Sequence, residues 1–381
     1  MDSGKVFEYH KKHRGKIETK VSMPIENKED LSLAYTPGVA EISKAIAENP
    51  EKVFEYTIKP HTVAIVSDGS AVLGLGNIGA LAAIPVMEGK AALFKTFAGI
   101  DAFPICLSTQ DPKEIISIVK NIAPVFGGIN LEDIKAPQCF EVEENLQDLG
   151  IPVMHDDQHG TATVVTAGLI NAAKVVHKNL ADMTVVVNGA GAAGNAVSKL
   201  LSEIVKNVIV CDSVGIVSKS RDNLDPYKLK LTEITNKNNI SGNLFDALNL
   251  ADVFIGVSKG NLLTSEHINT MKKDPIVFAL ANPIPEIMPD LAKKYGAKVV
   301  ASGRSDLPNQ INNSLAFPGI FKGALEIRAT KITKEMKLAA AKALAALVQN
   351  PTEEKIIPGP FDEGVVKAVS EAVKKSYNLT Q

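Results

Sequence analysis

Two acidic stretches concentrate the chemically capable side chains of this sequence. Residues 154–162 read MHDDQHGTA, with Asp156 and Asp157 set between His155 and His159. Residues 130–137 read NLEDIKAP, with Glu132 beside Asp133. Histidines four apart share a helix face, the spacing of zinc proteases, but Asp156 stands where HExxH requires a glutamate. Gly160 and Thr161 are expected to open a helix, so the histidines would flank a turn. The carboxylates offer a different site. If both stretches end strands facing one cleft, three or four carboxylates repel one another until a cation neutralises them. An oxygen-only ligand set selects Mg²⁺ or Mn²⁺ over Zn²⁺. Taken alone, each acidic pair would be a surface pair or a helix cap.

The glycine pattern GxGxxG occurs twice, as GLGNIG (74–79) and GAGAAG (189–194). It seats a dinucleotide pyrophosphate at a helix N-terminus, where glycines permit a tight turn and close backbone approach. The second copy has the right context. Gly189 follows the apolar run TVVVN, a helix pattern starts at once through Gly191 and Gly194, and VIVCD ends in Asp212. An acidic residue there can accept from both ribose hydroxyls, which favours NAD over NADP. Lys219 and Arg221 could meet a 2′-phosphate, but they read as a solvated loop. The first copy follows VSDGSAV rather than a clean strand, and its helix contains Pro85. It reads as a turn that shapes the substrate cleft.

These motifs need a scaffold, and the chain supplies an α/β one. At 381 residues it should hold two domains, since one core rarely grows past about 250–300 residues. TVAIV (62–66) and AALF (91–94) read as buried strands, and 111–124 as a helix. Residues 160–180 form a long apolar helix pattern bridging to the second domain. Strands are then expected at 184–188, 207–212, 252–256, 275–280 and 297–302, with helices between them, the signature of a doubly wound parallel sheet. The alanine-rich stretch 333–351 reads as a helix stopped by Pro351 and packed back on the body.

Composition narrows the classes. A net charge near −2 and the absence of Trp argue against a nucleic-acid partner. No run approaches 18 apolar residues, so no membrane span is expected, and the polar N-terminus does not resemble a signal peptide. Cys106, Cys139 and Cys211 are scattered and unpaired in spacing, as expected in a reducing compartment, and the protein reads as cytoplasmic.

Taken together, the motifs resemble the malic enzymes, in their short prokaryotic form. The likeness covers nearly the whole chain through LAYTPGVA (33–40), DGSAVLGLGNIG (68–79), EGKAALFKTFAGID (88–101), INLEDIKAP, HDDQHGTA, NGAGAAG, ALANPIPE (279–286) and LPNQINNSLAFPG (307–319). It implies oxidative decarboxylation of (S)-malate to pyruvate and CO₂, with NAD, or alternatively NADP, and Mg²⁺ or Mn²⁺. By motif, Lys90 would be the base at the C2 hydroxyl and Tyr35 the acid that protonates C3. Glu132, Asp133 and Asp157 would hold the metal with Asp156 beside them, and Asn282 and Asn313 would contact malate or nicotinamide. Lysine serves as a base only if burial and a nearby cation lower its pKa.

One departure stands out. Larger malic enzymes carry an arginine in the block before LGLG, where this chain has Ser70 and Ala71. Ser70, backbone amides, Asn313 and a basic residue from another subunit are therefore the candidates for the second malate carboxylate. The implied architecture is a substrate and metal domain over 1–155, a Rossmann NAD-binding domain over 156–330, and terminal helices over 331–381. A homodimer or homotetramer is expected. The competing readings are a non-decarboxylating 2-hydroxy-acid or amino-acid dehydrogenase, and a non-catalytic NAD- or malate-binding sensor.

Overall fold

The computed structural model describes residues 3–72, 74–222 and 224–378. Among them nine strands form two sheets, in which all neighbours run parallel. The first sheet contains β1 (Thr62–Ser67), β2 (Asp101–Cys106), β3 (Gly128–Leu131) and β4 (Val153–His155), in the order β2-β1-β3-β4. All six residues of β1, TVAIVS, are buried, as befits a β-branched strand covered on both faces. Strand β2 contains Pro104, which lacks a donor for the ladder, and it accordingly lies at the sheet edge.

AALF is not a strand. The helix Gly79–Leu93 runs through it and continues as a π turn, Phe94–Ala98, closed by Gly99 at φ 74°. Alanine and leucine are strong helix formers, and four apolar residues carry too little periodicity to exclude a helix.

The second sheet contains β5 (Thr184–Asn188), β6 (Asn207–Cys211), β7 (Val253–Gly256), β8 (Ile276–Ala279) and β9 (Val299–Ser302), ordered β6-β5-β7-β8-β9. The order reverses between β5 and β7, and in the first sheet between β1 and β3. Ligands of open α/β sheets bind at the carboxyl ends of strands flanking such reversals. Gly189 follows β5 and Glu132 follows β3, so each motif sits at a reversal.

A single helix, Asp156–Val175, leads from one sheet to the other. It begins at Asp156 rather than Gly160, so His159 belongs to its first turn. Fourteen of its twenty residues are buried. Buried Asn171 donates to the carbonyls of Ala345 (2.8 Å) and Ile356 (2.9 Å), which ties the C-terminal segment to this helix. The expected helix near 333–351 spans Lys334–Ala346 and buries Met336, Ala340, Ala341, Leu344 and Ala345 on the body. Helix Phe317–Glu326 turns back onto the first sheet, where Phe94 packs on Phe317 and Phe321 with ring centroids 4.7 and 5.5 Å apart. One apolar core thus runs from β1 through the linking helix to β9 and the C-terminal helices.

The N-terminal arm behaves differently. Helices Ser3–His13, Lys28–Ala34 and Val39–Glu48 have no buried residue, and Phe7, Val21, Leu33 and Tyr35 are each at least two-thirds exposed. No helix among the described residues is long and apolar enough to cross a membrane.

Candidate metal centre and nucleotide cleft

Strands β3 and β4 pair with Leu131 opposite His155, so Glu132 and Asp156 emerge side by side at their carboxyl ends. Glu132 extends the ladder by donating its N–H to the Val66 carbonyl. Asp133 then turns through the left-handed region (φ 53°). Its N–H donates to Asp157 Oδ2 (2.9 Å), and its carbonyl accepts from Ala71 N–H (2.9 Å). Ligand oxygens of Glu132, Asp133 and Asp157 lie within 4.8 Å of one another.

Lys90, buried on helix Gly79–Leu93, reaches into this corner. It pairs with Glu132 and with Asp156 Oδ2 (2.5 Å), and its Nζ lies 4.5 Å from the centre of the Phe317 ring. Four carboxylates therefore face one ammonium. Burial raises the Glu132 carboxyl well above the usual range, and the neighbouring aspartates add to this against the pull of Lys90. Asp156 is pushed up to about 6, again chiefly by burial. Its Oδ1 is buried with no hydrogen-bond partner. Uncompensated negative charge, an orphaned oxygen and converging hard donors fit Mg²⁺ or Mn²⁺.

The lowering expected for the Lys90 pKa calls for a bound cation as well as burial. Burial lowers it, but Asp156, Glu132 and Asp157 together raise it above that of free lysine. Nearby anions outweigh burial because they stabilise the ammonium directly.

Space for this corner depends on Gly160. A Cβ there would lie 1.8 Å from Asp156 Oδ1 and 3.2 Å from Asn313 Cβ, which also places Asn313 beside the cluster. The histidines are not among these ligands. His155 is fully buried, with Nδ1 3.9 Å from Asp157 Oδ2. His159 Nε2 meets Glu143 Oε2 (3.0 Å) and its Nδ1 meets Lys337 Nζ (3.1 Å). Among the described residues, the group able to hold a metal contains carboxylates only.

Other expected residues fall less simply. The Ser70 hydroxyl donates to Asp68 Oδ1 (2.6 Å) and accepts from Lys135 N–H (2.9 Å), so its proton is committed inside the loop rather than offered to a substrate carboxylate. Tyr35 lies 67% exposed at the end of helix Lys28–Ala34. Asn282 is exposed, and its carbonyl lies against Gly74, where a Cβ would come within 2.2 Å. The first glycine motif is thus a turn braced on the ANP loop. Asn130, unnoticed in the sequence, donates Nδ2 to Glu132 Oε2 (2.9 Å); its i, i+2 spacing along β3 was the available signal.

The second glycine motif opens on a cavity of about 790 Å³ lined by Gly189, Gly191, Asp212, Lys228, Asn243 and Ser258, among others. Helix Ala192–Leu201 starts there with Gly191 as N-cap and no side-chain cap, which leaves main-chain N–H groups for an anion. A Cβ on Gly194 would stand 1.6 Å from the Gly189 carbonyl, whereas one on Gly191 meets no protein atom within 4 Å. The two glycines therefore serve different ends. Gly191→Ala is expected to fold normally yet bind NAD about 10-fold more weakly, whereas Gly194→Ala should lose about 1–3 kcal/mol of stability. Calorimetric NAD titration and thermal melting of both variants check this.

Asp212 is held by its own neighbours. Its carboxylate accepts from Arg221 on both oxygens (2.9 and 3.2 Å), from Lys228 (3.0 Å) and from Val214 N–H (2.9 Å). Burial opposes these partners, but they bring its carboxyl down to about 2. Arg221 is thus a half-buried ion-pair partner and not a solvated charge, while Lys219 is exposed as expected. With its acceptor sites largely occupied, Asp212 is not free to take both ribose hydroxyls without rearrangement.

Comparison with known proteins agrees with this construction. The family model "Malic enzyme, N-terminal domain" matches residues 14–113 and 108–147, and "Malic enzyme, NAD binding domain" matches 158–375. The chain is 57% identical over 370 residues to an NAD-dependent malic enzyme of Geobacillus stearothermophilus, covering 96% of this chain and 77% of that one. It is 54% identical to the bifunctional malic/malolactic enzyme of Bacillus subtilis, covering 96% and 91%. The solved NAD-dependent malic enzyme of Thermotoga maritima superposes with a TM-score of 0.94 at 53% identity, covering 98% of this chain and 99% of that one. With both family models matched across nearly its full length, the chain belongs to the malic enzyme family.

Proposed function

We propose that this protein oxidatively decarboxylates (S)-malate to pyruvate and CO₂ with reduction of NAD(P)⁺. The observation that carries this reading is Lys90 buried between Glu132 and Asp156, within a carboxylate cluster beside a dinucleotide cleft. Glu132, Asp133 and Asp157 would hold Mg²⁺ or Mn²⁺, which when bound supplies Lewis-acid polarisation of the substrate and balances the cluster's charge. The cofactor, when bound, accepts the hydride from malate C2.

Lys90 takes the C2 hydroxyl proton. To do so it must first be neutral, and a cation held by the neighbouring carboxylates would offset the anions that keep it protonated, with Asp156 hydrogen-bonded to it. Asn313, beside Gly160, orients the substrate, and the dry walls around Phe317 exclude water as CO₂ leaves. Tyr35 then protonates C3. Because Tyr35 belongs to an exposed arm that also leaves Phe7, Val21 and Leu33 uncovered, we assign it this role within a homodimer or homotetramer, where a second copy covers the arm.

Asp212 repels a 2′-phosphate, which favours NAD, while Arg221 and Lys228 offset enough of that charge to admit NADP. The domain division at 155/156 and 330/331 draws support from the linking helix, which begins at Asp156, and from a C-terminal helix that begins at Lys334. Free thiols at Cys106, Cys139 and Cys211 suit the cytoplasm.

Malate-dependent NADH formation with CO₂ release is expected in Mn²⁺ and should disappear in EDTA. Turnover that survives EDTA without CO₂ release would instead identify a plain 2-hydroxy-acid dehydrogenase. Running NADP beside NAD measures the preference.

A further inference from the structure

We propose that Glu143 is a positioning residue for the metal-binding corner, acting as an external cap on the helix that carries Asp156 and Asp157. This rests on the metal reading above.

The linking helix starts without a cap of its own, because His155 at the N-cap makes no side-chain hydrogen bond. Its first two residues are Asp156 and Asp157, so the placement of its first turn sets where both carboxylates point. Glu143 comes from a separate helix, Gln138–Glu144, and is buried. Its Oε1 accepts the His155 main-chain N–H (2.8 Å). Its Oε2 accepts from Gln158 Nε2 (3.1 Å) and meets His159 Nε2 (3.0 Å). One carboxylate thus grips the first turn at three points, taking the N-cap N–H as the N3 glutamate of a capping box does elsewhere.

A strut stands behind it. Lys337, on helix Lys334–Ala346, donates to His159 Nδ1 (3.1 Å), which fixes the imidazole with its Nε2 proton toward Glu143. The order Lys337, His159, Glu143, His155 N–H links the C-terminal helix to the residue just before the acidic pair. This gives His159 a use in the site: it braces the carboxylate that holds the metal-binding turn. Glu143 itself stays ionised, its carboxyl brought down to about 2 despite burial by His159, His155 and Lys337.

Groups that orient metal ligands without touching the metal typically change its affinity by roughly 10–100-fold when removed. The test is Mn²⁺ titration followed by electron paramagnetic resonance of the free ion, which reads binding without turnover, alongside calorimetric NAD titration. Glu143→Ala is expected to weaken Mn²⁺ binding roughly 10–100-fold and leave NAD binding within about twofold. His159→Gln, which keeps a donor toward Glu143, should restore most of the Mn²⁺ affinity relative to His159→Ala. If Glu143→Ala does not fold, Glu143→Gln decides. Its amide can still accept from His155 but not from His159 and Gln158 together, so weaker Mn²⁺ binding is again expected. Unchanged Mn²⁺ affinity in the folded variant overturns the proposal, as does parallel loss of Mn²⁺ and NAD binding, which would mark a general structural role. Wild-type protein that takes up no Mn²⁺ would instead remove the metal reading, and the role of Glu143 with it.

Discussion

Lys90→Ala is expected to lower kcat for malate oxidation roughly 10²–10⁴-fold, the range for loss of a positioned general base, while NAD binding stays close to wild type. The cofactor should be spared because Lys90 sits at the ends of β3 and β4, whereas the dinucleotide cavity is built on the loops after β5, β6 and β7. Stability should change as well. Without the ammonium, Glu132 and Asp156 lose the cation they both pair with, and an uncompensated buried charge costs about 3–5 kcal/mol. Their carboxyls will be pushed further up, and added Mn²⁺ should recover much of the lost melting temperature. Lys90→Arg separates the two effects, since guanidinium keeps the charge but cannot give up its proton at neutral pH. It should melt nearer the wild type and remain inactive. Steady-state NADH production, NAD titration and melting with and without Mn²⁺ check all of this; wild-type turnover by Lys90→Ala sinks the base assignment.

Gly160→Ala should be almost as damaging, although no functional group is removed. In an ordinary helix this change gains up to about 1 kcal/mol. Here the new methyl would lie 1.8 Å from Asp156 Oδ1 and 3.2 Å from Asn313 Cβ, so the side chain or the whole first turn must move. Overpacking costs about 1–3 kcal/mol, which outweighs the helix gain. Either movement displaces the carboxylate that pairs with Lys90. A displacement of about 1 Å in an active site can cost 10²-fold, so kcat/KM for malate should fall by about that factor. NAD affinity should hold. A variant with normal kcat/KM and raised melting temperature would show that the turn adapts freely.

The legibility of this chain in its sequence follows physical lines. The second sheet was readable because its strands are β-branched, fully buried runs separated by regular helices; TVVVN and VIVC were placed within a residue or so. The first sheet was less so. β4 is only three residues long, β2 is interrupted by Pro104, and AALF was assigned to a strand though helix continues through it. The carboxylate cluster was legible because adjacent acids are conspicuous, and the structure brings Glu132, Asp133 and Asp157 together. What surrounds it was not. Glu143 has no local pattern that sets it apart from Glu141 or Glu144. Arg221 on Asp212 and the Asp68 grip on Ser70 are contacts made by folding, which spacing along the chain does not encode. Tyr35 reads as a site residue by motif, yet in the single chain it stands in an exposed arm.

The return of helix Phe317–Glu326 onto the first sheet has a consequence for how the protein is made. Phe317 and Phe321 cover Phe94, and Phe321 also covers Gly128 of β3, but they leave the ribosome long after those partners. At about 5–20 residues per second, the first sheet waits roughly 10–35 s for its cover. During that interval a parallel sheet with an unsealed apolar face stands in the cell, an aggregation-exposed nascent chain whose quality control must act before the C-terminal helices arrive.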